Sequence, residues 1–306
     1  MAKIISFEGG DCSGKGTQIK LLQNYLEEKG HKVWGSLYEP GSTNKADIIR
    51  TVLKNRPDTE RLNLNFQKTF DFKTHRQIFE YEQVPPIAEF FIHHALETMQ
   101  TGLKTEMLEF LINNSLPEKS IVEATLSNIT KNPKGTEFCE KYLSKEVLTA
   151  QEQAYLFLAS RNMVYNAILE NANNFEYILL DRSKDSTVIY QGHAQNPHTI
   201  PILRGYNNMA TEGIPLDITI LLDLPTEEVI RRRAKRKGQT PDFFDNKANT
   251  FHERVKQGYL HEQKYYESLP KNHPESRRIV CIHGTGSPKE IHKNILYALA
   301  ERKLIE

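Results

Sequence analysis

The chain has 306 residues, 38% of them hydrophobic, and its 40 Lys and Arg nearly balance 39 Asp and Glu for a formal net charge of +1. That balance excludes a global basic field for nucleic acid or an anionic membrane, so any basic cluster has to be local. No run approaches the ~18 apolar residues of a membrane span, no signal-peptide pattern is present, and Cys12, Cys139 and Cys281 form neither a metal pair nor an even disulfide set. The expectation is a cytoplasmic protein of one elaborated domain or two, partnered by neither membrane nor nucleic acid.

The first element is "KIISF" (3–7), a short apolar run with adjacent isoleucines that reads as a buried parallel strand. "GGDCSGKGT" (9–17) follows, and then Ile19, Leu22 and Leu26 recur at helical spacing up to Gly30, a stop signal. Gly9, Gly14 and Lys15 satisfy the phosphate-loop pattern of Gly, four residues, Gly and Lys, but Gly16 stands where Ser or Thr is usual, with Thr17 one place late. Strand, Gly-rich turn and helix is the context the pattern requires. Backbone N–H groups of Gly9, Gly10, Asp11, Cys12, Ser13, Gly14, Lys15, Gly16 and Thr17 can curl around an anion, and the helix N-terminus adds partial positive charge. Lys15 would reach the terminal phosphates of a bound nucleotide. Cys12 is open to oxidation, or is simply a small residue in the loop.

Four more strands are expected, at "KVWGSLY" (32–38), "YILLD" (177–181), "ITILLDL" (218–224) and "RIVCI" (278–282). Helical patterns lie near 44–54, 151–170, 226–237, 248–267 and 288–303. The alternation predicts an α/β fold, a five-stranded parallel sheet covered by helices on both faces, with ligands at the carboxyl ends of the strands. The core is expected to comprise residues 1–56 and 150–306. Residues 57–149 break the rhythm, with helical patterns near 87–100 and 103–114 and an ambiguous "SIVEATLS" (120–127). Ninety structureless residues would be improbable in a compact domain, so an inserted, mainly helical subdomain is expected. Its His93–His94 pair is read as surface or interface, because adjacent helical residues do not face the same way.

Three further features carry chemistry. Asp181 ends an apolar strand, a position from which a carboxylate can hold Mg²⁺ through water, and Arg182 follows it. Phe157 and Arg161 lie four apart, hence on one helix face; taken by themselves Phe157 reads as core and Arg161 as exposed. "RRRAKRKGQTPDFFDNK" (231–247) places six cations in seven positions, usually just a solvated face.

Taken together, "FEGGDCSGKGTQ" (7–18), "YEPGST" (38–43), "LFLASR" (156–161), "DRSKDSTVIYQG" (181–192), "LLDLPTEEVIRRR" (221–233) and "FHERVKQGY" (251–259) resemble, in order, the motifs of the thymidylate kinases. The resemblance frames about two thirds of the chain. It implies a P-loop kinase passing the terminal phosphate of ATP, with Mg²⁺, to dTMP to give dTDP. It further implies Arg182 as clamp of the acceptor phosphate, and Asp11 near the sugar 3′-hydroxyl and that phosphate. Phe157 would stack on the base and Arg161 meet its carbonyl edge. Tyr38, Pro40, Thr187, Tyr190 and Gln191 fall at positions around the acceptor. A mobile lid is implied at about 231–250. Since Cys12 stands where one group of the family has a loop arginine, lid cations would serve instead, and Arg233 and Arg236 are the choices.

The family pairs through helices of this region, so a homodimer is possible, or the insertion blocks it. Gly16 gives a Gly-Lys-Gly-Thr sequence similar to that of adenylate kinases. Tyr38, Ser160, Ser183 and Phe243 depart from common family residues, which bears on the acceptor. Two alternatives therefore stand beside dTMP phosphorylation: a kinase for another pyrimidine nucleotide such as dUMP, or a non-enzymatic nucleotide-binding switch with the insertion as partner module.

Overall fold

The computed structural model describes residues 2–43, 46, 50, 86, 87, 90, 91, 149–234 and 249–306. The expected helices near 87–100 and 103–114 lie outside these residues apart from Ile87, Phe90 and Phe91, as do "SIVEATLS" and His93–His94. Two compact units are formed. One comprises Met1–Glu39, Ile168–Pro241 and Asp245–Glu306; the other comprises Pro40–Ala167 and Asp242–Phe244.

The first unit is built on a sheet of β1 (Lys3–Gly9), β2 (Val33–Tyr38), β3 (Tyr177–Asp181), β4 (Ile218–Asp223) and β5 (Ile279–His283), all parallel in the order β2-β3-β1-β4-β5. All five strands fall where the apolar runs predict them. The described helices are α1 (Lys15–Glu28), α2 (Ala150–Asn171), α3 (Lys184–Thr187), α4 (Ile200–Ala210), α5 (Thr226–Ala234), α6 (Asn249–Ser268) and α7 (Pro288–Glu301). A π-helical turn, Val188–His193, continues α3. Helix α4 has no counterpart in the sequence reading.

Alternation along β1 sends its side chains to two different environments. Ile5 and Phe7 join a cluster with Ile19, Leu22 and Leu26 of α1 and Ile291, Ile295 and Leu299 of α7. Each such fully buried aliphatic side chain contributes on the order of 1.5–3 kcal/mol. The helices end as their sequences direct. Gly30, at φ 88°, closes α1 with its N–H on the Glu27 carbonyl at 2.9 Å. At the start of α7, Ser287 and Glu290 form a reciprocal capping box at 2.8 and 3.3 Å, with Pro288 in the first turn. On the other side of β1 lie Ile4, Ser6 and Glu8, all buried. A carboxylate in that position sets up the site.

Candidate active site

Parallel order puts the carboxyl ends of β1, β3 and β4 side by side, with Phe7 opposite Asp181 and Gly9 opposite Leu222. The loop from Gly9 to Gly14 leaves β1 there. Gly9 has φ 135° and Gly14 φ 95°, backbone that glycine adopts without steric cost. The Lys15 side chain lies over the loop and donates to the carbonyl oxygens of Gly9 (3.2 Å) and Gly10 (3.1 Å). Burial and the like charge of Arg182 lower its pKa, while Asp181, Asp11 and Glu8 act in the opposite direction. Gly16 and Thr17 are exposed at the start of α1.

Arg182 comes off the end of β3 in a left-handed conformation, φ 71°, its N–H on the Phe7 carbonyl at 3.0 Å. One terminal nitrogen donates to Asp11 Oδ1 at 2.9 Å; the other reaches the Gly9 carbonyl (3.2 Å), Ser186 Oγ (3.3 Å) and Tyr259 Oη (3.3 Å). Its guanidinium carbon stands 5.0 Å from the centre of the Tyr190 ring. The predicted loop acid and the predicted clamp arginine are therefore joined directly, across 171 residues of sequence.

The group that organises this corner was missed in the sequence. Glu8 is fully buried and accepts from Ser183 N (2.9 Å), Ser186 N (3.2 Å), Ser186 Oγ (2.7 Å) and Tyr259 Oη (2.8 Å). Burial raises its pKa, against the pull of Arg182 and the donors around it. The available signal was a lone acid inside a strand otherwise apolar enough to be buried on both faces.

Thr187, Tyr190 and Gln191 are buried on α3 and the π-helical turn, a local widening of the helix common at functional sites. Below them Asp185 and Arg278, each 1% exposed, form a two-pronged pair at 2.6 and 2.7 Å, with Thr219 Oγ1 of β4 as a further acceptor for Arg278 at 2.6 Å. At the base of the basic run, Arg232 donates to the Cys12 carbonyl (3.4 Å) and the Gly284 carbonyl (2.8 Å) and pairs with Glu228 (2.6 Å). Arg232 was not singled out from the sequence. Arg236 lies outside the described residues, as does the Arg233 side chain. Among the described residues no group of three or more His, Cys, Asp or Glu could hold a metal ion unaided, and no helix is long and apolar enough to cross a membrane.

The model of the family described as thymidylate kinase matches residues 7–81 and 104–295. The chain belongs to the thymidylate kinase family. It is 27% identical over 295 residues to a thymidylate kinase of Thermoanaerobacter sp. (strain X514), covering 96% of this chain and 95% of that one. It is 29% identical over 306 residues to one of Sulfurihydrogenibium sp., covering both chains completely. With a thymidylate kinase of Chlorobium limicola it shares 30% identity over 199 residues, 60% of this chain and 86% of the relative. Family relatives of similar length thus align through the 57–149 stretch, although the family model passes over 82–103.

Of the departures from common family residues, Ser160 and Ser183 have local hydrogen-bond partners, and Phe243 lies outside the described residues. In the second unit, Ser160 Oγ accepts from Gly41 N at 3.1 Å, so a hydroxyl serves as acceptor for the "YEPGST" turn. The same unit holds Pro40, buried, and both Phe157 and Arg161 on α2. Their burial reverses the plain reading of the pair: Arg161 is 1% exposed and Phe157 is half-buried. A guanidinium that far from water is retained only with partners, and Arg161 has them. In the first unit Tyr38, half-buried, pairs with Asp181 in register, and Ser183 Oγ donates to the buried Glu39 at 3.4 Å.

Proposed function

We propose that the chain is a nucleoside monophosphate kinase that transfers the terminal phosphate of ATP to dTMP, giving dTDP and ADP. What carries the reading is the Arg182–Asp11 pair lying against the Gly9–Gly14 loop, because a protein that only bound nucleotide would need no second phosphate clamp beside the first. Phosphoryl transfer asks little covalent chemistry of the protein; it asks for two phosphates held in line, neutralised charge and excluded water. Loop N–H groups and Lys15 would take the donor phosphates. The forked guanidinium of Arg182 would take the acceptor phosphate, releasing contacts it now makes within the protein. Asp11 would remain beside it, facing the sugar and the transferred group. Phe157 would supply the apolar face for thymine and Arg161 the donor for its carbonyl edge, with Tyr38, Pro40, Thr187, Tyr190 and Gln191 around base and sugar. Arg233 and Arg236 would close on the transferring group from the lid.

Magnesium keeps most of its waters and takes one or two carboxylates together with phosphate oxygens, so a single strand-end carboxylate such as Asp181, without a protein cage, suits it. When bound, the ion would neutralise the terminal phosphates.

The test is ADP release from ATP and magnesium with dTMP, dUMP, other nucleoside monophosphates and free deoxynucleosides. Stimulation by dTMP above all others is expected, and Lys15→Ala should lose turnover while keeping its fold. Preference for another acceptor would reassign the base pocket. ATP binding without stimulation by any acceptor would sink the kinase reading in favour of a nucleotide-binding switch.

A further inference from the structure

Helix α6 begins at Asn249, directly after the basic stretch, and it touches the surroundings of Arg182 twice. Phe251 meets the Tyr190 ring edge-on at 6.0 Å, and Tyr190 in turn lies under the Arg182 guanidinium. Two turns on, the Tyr259 hydroxyl, 4% exposed as a residue, donates to Glu8 Oε2 at 2.8 Å and accepts from Arg182 at 3.3 Å. The helix comes this close because of its neighbour Gly258: a Cβ there would stand 2.8 Å from His193 Cβ and 3.1 Å from Ile189 Cγ2.

Glu8 fixes the direction of the Tyr259 hydroxyl. The carboxylate can only accept, so the phenolic proton points to it and the oxygen lone pairs face Arg182. Glu8 holds the Ser183–Ser186 turn by three further hydrogen bonds. The same buried carboxylate therefore sets both the backbone from which Arg182 projects and the acceptor toward which one of its nitrogens points.

Building on the kinase reading above, we propose that Tyr259, held by Glu8, is a positioning residue for the acceptor phosphate. It aims the Arg182 guanidinium and ties that aim to the helix that follows the lid. Tyr259 need not touch substrate; it acts through Arg182. The hydrogen bonds of Tyr259 go to Glu8 and Arg182 rather than to Lys15, so the effect falls mainly on the acceptor, although the same Arg182 nitrogen also reaches the Gly9 carbonyl at 3.2 Å.

The test is Tyr259→Phe, which removes one oxygen from a buried ring, assayed with both substrates varied. The KM for dTMP should rise about tenfold or more, the loss expected of one hydrogen bond to a charged group, with the KM for ATP changing far less. In an Arg182→Lys background, adding Tyr259→Phe should cost little more, since the guanidinium it aims is already gone. Glu8→Gln, nearly isosteric, should show the same split between substrates and serves where Tyr259→Phe does not fold. Equal changes in both KM values, or full additivity with Arg182→Lys, would reduce Tyr259 to a packing residue and overturn the proposal. Wild-type protein that turns over no monophosphate would instead remove the kinase reading, and the positioning role with it.

Discussion

A Cβ on Gly9 would stand 2.5 Å from the Leu222 carbonyl oxygen of the neighbouring strand, and the residue's φ of 135° is closed to other amino acids in practice. Gly16, equally prominent in the loop sequence, has nothing within 4 Å of where its side chain would begin. The two glycines should therefore respond oppositely. Gly9→Ala should lose about 2–4 kcal/mol of stability, from strain and overpacking together, and should bind ATP poorly. Gly16→Ser should keep or slightly raise the melting temperature, since serine is the better helix former, and should supply the missing loop hydroxyl. Circular-dichroism melts of the two variants decide this. The loop, Asp11 and Arg182 were legible because glycine spacing and strand-end position are one-dimensional signals. Glu8 and Tyr259 were not, being 251 residues apart and meaningful only as a pair.

At the scale of elements, the buried Asp185–Arg278 pair joins α3 to the residue just before β5, with Thr219 of β4 between them. Removing one partner leaves the other charged and buried, so Asp185→Asn or Arg278→Ala should cost about 3–5 kcal/mol. Burial works to raise the Asp185 pKa, but Arg278, Lys184 and Thr219 outweigh it and hold it below the usual aspartate value. The unfolded chain then binds a proton more readily than the native one. The pair's contribution is complete above about pH 4 and is lost as pH falls through the lowered native value. Urea unfolding across that acid range should show wild-type stability declining more steeply than that of Asp185→Asn. The strands were readable because each is a short apolar run. Helix α4 was not, because Pro201, Gly205, Asn207 and Asn208 read as loop. In place, the proline occupies the first turn, where its missing N–H costs nothing, and Gly205 has open space around it.

For the whole molecule, the proposed nucleotide site would draw on groups from far apart in the chain, the Gly9–Gly14 loop and Arg182 after β3, with Arg232 of α5 on the carbonyl of loop residue Cys12. A ligand that engages them should stabilise the native state by about 2.7 kcal/mol at a hundred times its dissociation constant. Wild-type protein should accordingly melt several degrees higher with saturating ATP and magnesium. Lys15→Ala should show little of that shift, and a variant as strongly stabilised as wild type would remove Lys15 from the ATP site. Fold class was legible at this scale because alternating runs and helices admit few arrangements. The expected 57–149 insertion lies outside the described residues apart from Pro86, Ile87, Phe90, Phe91 and Thr149.

The placement of β1 in the middle of the sheet has a consequence for how the protein is made. Lys3 pairs with Tyr177, and Ile5 lies between Leu179 and Ile218. Strand β1 thus leaves the ribosome long before either neighbour, and its glycine loop waits for Arg182 and Leu222. A nascent chain halted before β3 would already carry the complete phosphate-binding motif and yet lack both the Arg182 guanidinium and the Leu222 carbonyl that lie against it. Pairings so distant in sequence also close slowly, because a long loop must be ordered before any contact compensates for it. The earliest translated part of the site is the last to become one.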